Sequence, residues 1–472
     1  MSDFAAGAAD PVDMRQVVAR LERLPMSSWH TKMRLIICTA WFFDAFDSLV
    51  IAYVLPSLIG LWHLNPGQIG SLIGIGFAGQ LIGSIGAGWL GEKWGRLRTM
   101  ILTLLIFSVM SLVCAFAWDY DSMWWFRFIQ GIGLGGEVPL MAAYVNEFAK
   151  AERRGRFSLI IQVLFAIGLA AVAIVGVWVV PRFGWQWMFY IGAVPALIVI
   201  PLRAILPESP RWLASQGRFV EADGALKRIE DVAVSEGKTL PPLPRNLPAV
   251  VEAKPNFAEL FQGIYLKRTL TMWAIWICTY FITYGLTAWA PSLFRTVYHL
   301  DVQTSLLYGF VLSGIGLLGA VSAVVLIDWI GRRRLFIMGL GIGSLPLLVF
   351  AFGGNFSAFE VLMLVSLSFL FCSQLALSLA TYTAENYPTH LRSLGGGVAG
   401  AWQRGASMVG PMVVGWVLPN WGVNAVFVVF GGFAVTGAVV AYLWANETRG
   451  QVLEILSPAL GPRLGQRSGE KA

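Results

Sequence analysis

The chain reads as an all-α membrane protein: twelve transmembrane helices in two six-helix, pseudo-symmetric halves, with both termini in the cytoplasm. Three observations predict it. First, 57% of the 472 residues are hydrophobic and 13% charged, with mean hydropathy +0.67, where a soluble chain carries about 25% charged residues. Second, twelve apolar runs each approach the roughly 20 residues that span a bilayer as a helix. Third, polar phrases at the edges of those runs recur about half a chain apart. Glu92-Lys93-Trp94-Gly95-Arg96-Leu97-Arg98 returns as Asp328-Trp329-Ile330-Gly331-Arg332-Arg333-Arg334. Tyr144…Glu147…Arg154 returns as Tyr382…Glu385…Arg392.

The N-terminal segment, 1–34, is polar and charged, which argues against a cleavable signal peptide; the first apolar run is also too long for one. The first half, 35–206, holds runs at 35–60, 69–91, 99–118, 122–147, 157–180 and 184–206. A polar connection, 207–268, follows, with Pro241-Pro242, Pro244 and Pro248. It reads as a cytoplasmic linker carrying short surface helices, one of them over 218–235. The second half, 269–445, holds runs at 269–294, 304–329, 335–354, 357–385, 394–418 and 423–445, and 446–472 is a tail. The alternation of a β-barrel is absent. The 20 Trp and 30 Phe suit lipid-facing surfaces and interfacial belts.

Charge placement orients the helices. Of the 34 Lys and Arg, Arg182 and Arg295 fall in outer loops and Arg127 and Arg404 inside helices; all others, counting Arg203 at the end of the sixth run with the linker, fall in the tails and even-numbered loops. This places those loops in the cytoplasm. The net charge of +7 is therefore a topology signal, and no nucleic-acid partner is needed to explain it. Cys38, Cys114, Cys278 and Cys372 lie inside apolar spans without metal-like spacing and read as packing residues. The four histidines are scattered, and no nucleophile–base set, phosphate loop or zinc signature stands out, so neither an enzyme nor a metal or cofactor is expected. Gly131-x-Gly133-x-Gly135 lies in an apolar helix and reads as close helix packing.

Six motifs in order carry a family resemblance. They are Gly88-x-x-x-Glu92-Lys93-x-Gly95-Arg96-x-Arg98; Arg127-x-x-x-Gly131-x-Gly133 with Glu137, Pro139, Tyr144, Glu147 and Arg154-Gly155-Arg156; and Pro207-Glu208-Ser209-Pro210-Arg211. The second half adds the Asp328 phrase, Tyr382-x-x-Glu385-x-Tyr387-Pro388-Thr389-x-x-Arg392, and Asn446-Glu447-Thr448-Arg449-Gly450, with Asn446 where the family usually has Pro. The chain resembles a major facilitator superfamily transporter over nearly its whole length, and within that superfamily the sugar porter and organic-ion branches. The resemblance implies a secondary transporter of a small molecule with protons, multi-pass in the inner membrane and functional as a monomer. It also implies cytoplasmic gates made of Glu92, Gly95, Arg96, Glu147, Arg154, Glu208 and Arg211 in the first half. Their counterparts are Asp328, Gly331, Arg332, Glu385, Arg392, Glu447 and Arg449.

The gates have a physical rationale. Glu147 and Arg154, like Glu385 and Arg392, straddle a helix end where charges can pair between helices. Gly95 and Gly331 allow a tight turn. Glu92 and Asp328 can accept from a neighbouring helix N-terminus or an arginine.

Ionisable residues at bilayer depth are costly and point to function. Asp44 and Asp47 share one face of helix 1; Arg127 and Glu137 lie on helix 4 and Arg404 on helix 11. By resemblance to proton-coupled sugar porters, Asp47 and Arg127 match an acidic–basic pair that acts as a proton switch. Asp44 adds the acid–x–x–acid pattern similar to aromatic-acid/proton symporters, and Glu137 is either a third proton site or a packing acid. Arg404 in Ala401-Trp402-Gln403-Arg404-Gly405 can hold a carboxylate through two hydrogen bonds; it can also snorkel or pair with an acid. Tyr280, Tyr284 and Trp289, with Gln162 and Gln130, complete the candidate substrate pocket. Helix 7 carries no Gln or Asn, which suits a sugar badly. The leading expectation is import of nicotinate or a related aromatic acid with protons. The alternatives are a proton/sugar symporter, an organic-cation transporter and a non-transporting sensor on the same fold.

Overall fold

The computed structural model describes residues 13–148, 154–243, 256–388 and 390–451; the side chains at 146, 154–162 and 377 lie outside that description. Among the described residues every regular element is a helix. The chain divides into two units, Met1–Val250 and Val251–Ala472.

The first unit contains α1 (Met14–Arg23), α2 (Ser28–Trp62), α3 (Pro66–Trp94), α4 (Arg96–Cys114), α5 (Tyr120–Phe148) and α6 (Arg154–Phe183). Its sixth membrane-length helix is composite: α7 (Gln186–Ala193), a 3₁₀ turn at Val194–Ile198 and α8 (Val199–Ile205). Pro195 lies in the first turn of the 3₁₀ segment, where its missing N–H breaks the α-helical ladder. Two short helices, α9 (Pro210–Ser215) and α10 (Phe219–Ser235), follow.

The second unit opens with a 3₁₀ turn at Phe257–Phe261. It continues as α11 (Ile264–Thr296), α12 (Val302–Ile330), α13 (Arg332–Phe352), α14 (Ala358–Asn386) and α15 (Arg392–Trp444). Gly422 interrupts α15 with φ 78° and ψ 177°, a conformation that glycine adopts without penalty. The described residues hold eleven helices of membrane length and apolarity; the break at Gly422 makes α15 two spans and the total twelve.

Local chemistry sets the starts of these helices. Asn65 and Gln68 form a capping box with Pro66 in the first turn of α3, Asp301 caps α12 through the Thr304 N–H at 3.0 Å, and Ser357 with Glu360 boxes α14. Glycines then set how closely the helices pack. A Cβ on Gly131 or Gly135 of α5 would strike the backbone of Gly76 or Gln80 on α3; one on Gly319 of α12 would strike Ser373 and the Leu370 backbone on α14. Bare backbone at these points lets helix axes approach as only small residues allow.

At the polar end of the first unit α10 matches the helix expected over 218–235, whereas α1 was not foreseen. The short helix α1 buries Val17 and Leu21 against Trp212, Leu226 and Ile229 of α9 and α10. Arg20 pairs with Asp223 and with Glu230 (2.7 Å), Arg23 also reaches Glu230 (2.8 Å), and Glu22 accepts from Arg211 (3.4 Å). Cys114, Cys278 and Cys372 are buried free thiols, and Cys38 is half-buried.

Candidate functional site

Two polar centres lie inside the helices, one in each unit, and a third kind of site, a helix-capping module, is duplicated at their polar ends.

In the first unit Asp47 is fully buried, as are Gln130, Arg127 and Ser111. The structure replaces the expected direct Asp47–Arg127 pair with a bridge. The Arg127 Nη1–H donates to Gln130 Oε1 at 2.7 Å, and Gln130 Nε2 donates to Asp47 Oδ2. Arg127 also approaches the Asp47 backbone carbonyl at 3.5 Å. Positions 127 and 130 are one turn apart on α5, so the amide sits beside the guanidinium and extends its reach. On the other side, Ser111 Oγ of α4 lies 3.4 Å from Asp47 Oδ1 and 3.1 Å from the Phe189 carbonyl of α7. Gln130, read from sequence as a substrate ligand, therefore belongs to the Asp47 network. Ser111 was missed, because a lone serine in a membrane helix is too common to single out.

Asp44 and Glu137 are buried nearby, and both Asp44 and Asp47 are close enough to act electrostatically on Glu137. Neither carboxylate oxygen of Glu137 has a hydrogen-bond partner among the described residues. Two glycines make room for the centre. A Cβ on Gly76 of α3 would lie 3.0 Å from Arg127 Nη2, and one on Gly192 of α7 would lie 2.8 Å from Asp47 Oδ1.

In the second unit, Trp276, Tyr280 and Tyr284 stack along one face of α11. Their ring centroids are 5.2 and 6.0 Å apart and their planes differ by 10° and 19°. Residues four apart share a helix face, which aligns the rings. The ladder is fastened to α14 by Trp276 Nε1–H to Thr383 Oγ1 (3.0 Å) and by the Tyr280 hydroxyl to the Ala376 carbonyl (3.3 Å). Arg404 of α15 is half-buried and donates to Gly400 O at 3.2 Å; its charge reaches Tyr280. Trp289 is separate from the ladder. It donates to the Pro411 carbonyl at 2.9 Å and lines a small apolar pocket with Phe294, Phe427 and Phe430. The side chain of Gln162 lies outside the described residues.

The capping modules repeat almost atom for atom. Gly95 (φ 113°, ψ 153°) precedes α4 and Gly331 (φ 95°, ψ 159°) precedes α13, a region that is essentially glycine-only. Of the two acids expected at a helix N-terminus or an arginine, Asp328 meets Arg332, and the acids that cap these helix starts are Glu208 and Glu447. Glu208 accepts from Leu97 N–H (3.0 Å), and Glu447 from the N–H groups of Arg332 (2.9 Å) and Arg333 (3.2 Å). Both approach from a distant segment to meet the positive helix end. Tyr144 donates to the Pro207 carbonyl (2.6 Å) and Tyr382 to that of Asn446 (2.8 Å), so each tyrosine holds the residue just before the capping acid.

The acids Glu147 and Glu385 pair between helices, with Arg96 and Arg332 as their partners. Arg96 donates to Glu147 at 3.2 Å, and Arg332 grips Glu385 with two bonds (3.2 and 2.9 Å). Asp328 pairs with Arg332 at 2.9 Å, and the Thr448 hydroxyl adds a bond to Glu385 at 2.5 Å. Arg392 donates instead to the Tyr387 carbonyl (3.0 Å), and Arg449 to that of Trp329 (2.6 Å). Glu92 is exposed and contributes its carbonyl, which accepts from Trp212 Nε1–H (2.8 Å). Arg211 faces Glu22, and Arg154 lies outside the described side chains.

Comparison with known proteins agrees with this architecture. Residues 62–460 match the family described as "Sugar (and other) transporter". The chain is 32% identical over 442 residues to the niacin transporter NiaP of Acinetobacter baylyi, covering 93% of this chain and 99% of that one. It is 27% identical over 414 residues to the 4-hydroxybenzoate transporter PcaK of the same organism, covering 84% and 86%. The crystal structure of a D-xylose–proton symporter matches with a TM-score of 0.69 at 20% identity, over 90% of this chain and all of the other. The chain belongs to the sugar (and other) transporter family of the major facilitator superfamily and is a multi-pass membrane transporter, not an enzyme.

Proposed function

We propose that the chain is a proton-coupled symporter of the cell inner membrane that imports a small aromatic carboxylate, nicotinate or a close relative, by alternating access. The observation that carries the substrate reading is Arg404 beside the stacked face of α11. A guanidinium next to aromatic rings offers a carboxylate two parallel hydrogen bonds and a planar ring a stacking partner. The two similar transporters named above carry, by their names, compounds of that kind. Proton coupling is assigned to the first unit. Arg127 acts on Asp47, and both Asp44 and Asp47 act on the buried Glu137, so ionised carboxylates crowd one another in a dry interior, an expensive state. Protonation of one acid relieves it, and helix movement that changes the surroundings of Asp47 then changes its hold on the proton.

The modules around Glu208 and Glu447 act as the cytoplasmic gates. Breaking and re-forming these caps accompanies the motion of α4 and α13. The distribution of Lys and Arg supports cytoplasmic termini. A second reading, organic-cation transport, draws on the same acid cluster as counter-charge for the substrate.

Uptake into proteoliposomes with an acid exterior distinguishes the two readings. Labelled nicotinate, benzoate, a hexose and a quaternary amine are compared with and without the gradient. Gradient-stimulated uptake of nicotinate or benzoate is expected, with Arg404→Ala reducing it at least tenfold, the scale of losing a charge-assisted pair. Uptake of the amine alone, or acid uptake untouched by Arg404→Ala, overturns the substrate assignment.

A further inference from the structure

Asp47 offers two oxygens for the coupled proton, and their surroundings differ. We propose that the proton is carried on Oδ1 and that Ser111 is the residue that accepts it there, linking protonation of Asp47 to the backbone of α7. This rests on the reading of Asp47 as a proton carrier.

The argument is one of hydrogen-bond polarity. A guanidinium has donors and no acceptor. Its approach to Gln130 at 2.7 Å therefore fixes the amide with its carbonyl toward Arg127. The Nε2–H₂ group must then face Asp47 Oδ2. A proton on Oδ2 would set O–H against N–H. Reversing the amide would set N–H₂ against the guanidinium. Oδ2 is thus a permanent acceptor.

Oδ1 faces a group that can change roles. Ser111 Oγ is 3.4 Å from Oδ1 and 3.1 Å from the Phe189 carbonyl. A hydroxyl carries one hydrogen and two lone pairs, so it cannot donate to both at once. With Asp47 ionised, the hydrogen is shared between them. When a proton from the outer aqueous phase binds Oδ1, that O–H donates to Ser111 Oγ, and Ser111 commits its own hydrogen to Phe189 O. Every donor then meets an acceptor, and no bond to Gln130 is lost. The remaining titratable groups around Asp47 are Arg127 and Glu137 on α5, Cys114 on α4 and Asp44 on its own helix. Cys114 is occupied by Gln130 Oε1 at 3.7 Å.

Removing the Ser111 hydroxyl costs the protonated form its acceptor and the ionised form only a long, shared bond. In the reconstituted full-length chain, Ser111→Ala is expected to move the midpoint of nicotinate uptake against outer pH by about one unit toward acid, the size of one hydrogen bond expressed as proton affinity. Ser111→Thr, which keeps the hydroxyl, should restore the profile. An unchanged profile in Ser111→Ala, or the same shift in Ser111→Thr, overturns the proposal. A second measurement needs neither substrate nor a Ser111 variant. In infrared difference spectra of the purified protein across a pH step, the carboxylic C=O band lost in Asp47→Asn should move to higher frequency in Gln130→Leu, because Oδ2 is the carbonyl oxygen that Gln130 binds. A band that does not move puts the proton on Oδ2 and overturns it. Full gradient-driven accumulation by Asp47→Asn is a different result, since it removes Asp47 as the carrier altogether.

Discussion

Asp47 is placed by small residues as much as by polar ones. A Cβ on Gly192 would lie 2.6 Å from Ser111 Oγ and 2.8 Å from Asp47 Oδ1, both fully buried, and overpacking of this kind costs about 1–3 kcal/mol. Gly192→Ala is expected to lower uptake at least tenfold, because displacing a reacting group by a fraction of its van der Waals radius is costly. Gly60→Ala, with nothing within 4 Å of the added carbon, serves as the control and should transport normally. Equal uptake by the two variants would show that Asp47 tolerates crowding. Legibility at this scale follows from chemistry. Asp44, Asp47, Arg127, Glu137 and Arg404 stood out because a charge at bilayer depth is costly. Gln130 was visible as a polar residue one turn from Arg127, but which way its amide reached depends on the packing of α2 against α5. Ser111 carried no signal of its own.

Among elements, the caps at α4 and α13 were half legible. The recurring glycines were read correctly as tight turns. Glu92 and Asp328 were expected to meet a helix N-terminus or an arginine; Asp328 takes the arginine, and chain segments after the sixth and twelfth spans deliver Glu208 and Glu447 to the helix starts. Sequence proximity does not decide the cap, because a helix N-terminus draws its acid from wherever the fold brings one. The helix α1 was read only as part of a polar, charged N-terminal segment, since ten residues fall below the length at which helices form unaided. Its docking makes the remaining element-scale prediction. Lys238 and the Ser28 N–H hold the Glu236 carboxyl down at about 2. At Glu230, burial works against the charge, yet the bonds from Arg20 and Arg23 outweigh it and keep that carboxyl below the usual range. Both acids are depressed in the folded state. Their contribution is complete above the unfolded value near 4.5 and is lost as pH falls from there toward 2. Hydrogen exchange of residues 14–30 should be slow and flat from pH 7 to 5, after correction for intrinsic rates, and should accelerate below about pH 4. Protection that persists at pH 2.5 would show that apolar packing of Val17 and Leu21 suffices.

At the scale of the whole molecule, duplication was the most legible feature. Twelve apolar runs, two copies of each gate phrase and a one-sided distribution of basic residues were readable because the bilayer fixes helix length and penalises polar backbone outside helices. The chemistry does not repeat: the acids and Arg127 lie in the first unit, the aromatic ladder and Arg404 in the second. On the proposed function, this division puts energy coupling in one half and substrate selection in the other. If one proton accompanies one carboxylate, no net charge moves. Each unit of pH gradient then supports about tenfold accumulation, or about 1.4 kcal/mol. Asp47→Asn tests the division most directly, in proteoliposomes with a one-unit acid exterior and labelled nicotinate. The account predicts that the variant still equilibrates and exchanges nicotinate but accumulates none above the external concentration. Accumulation by Asp47→Asn equal to that of the unmodified chain would contradict it.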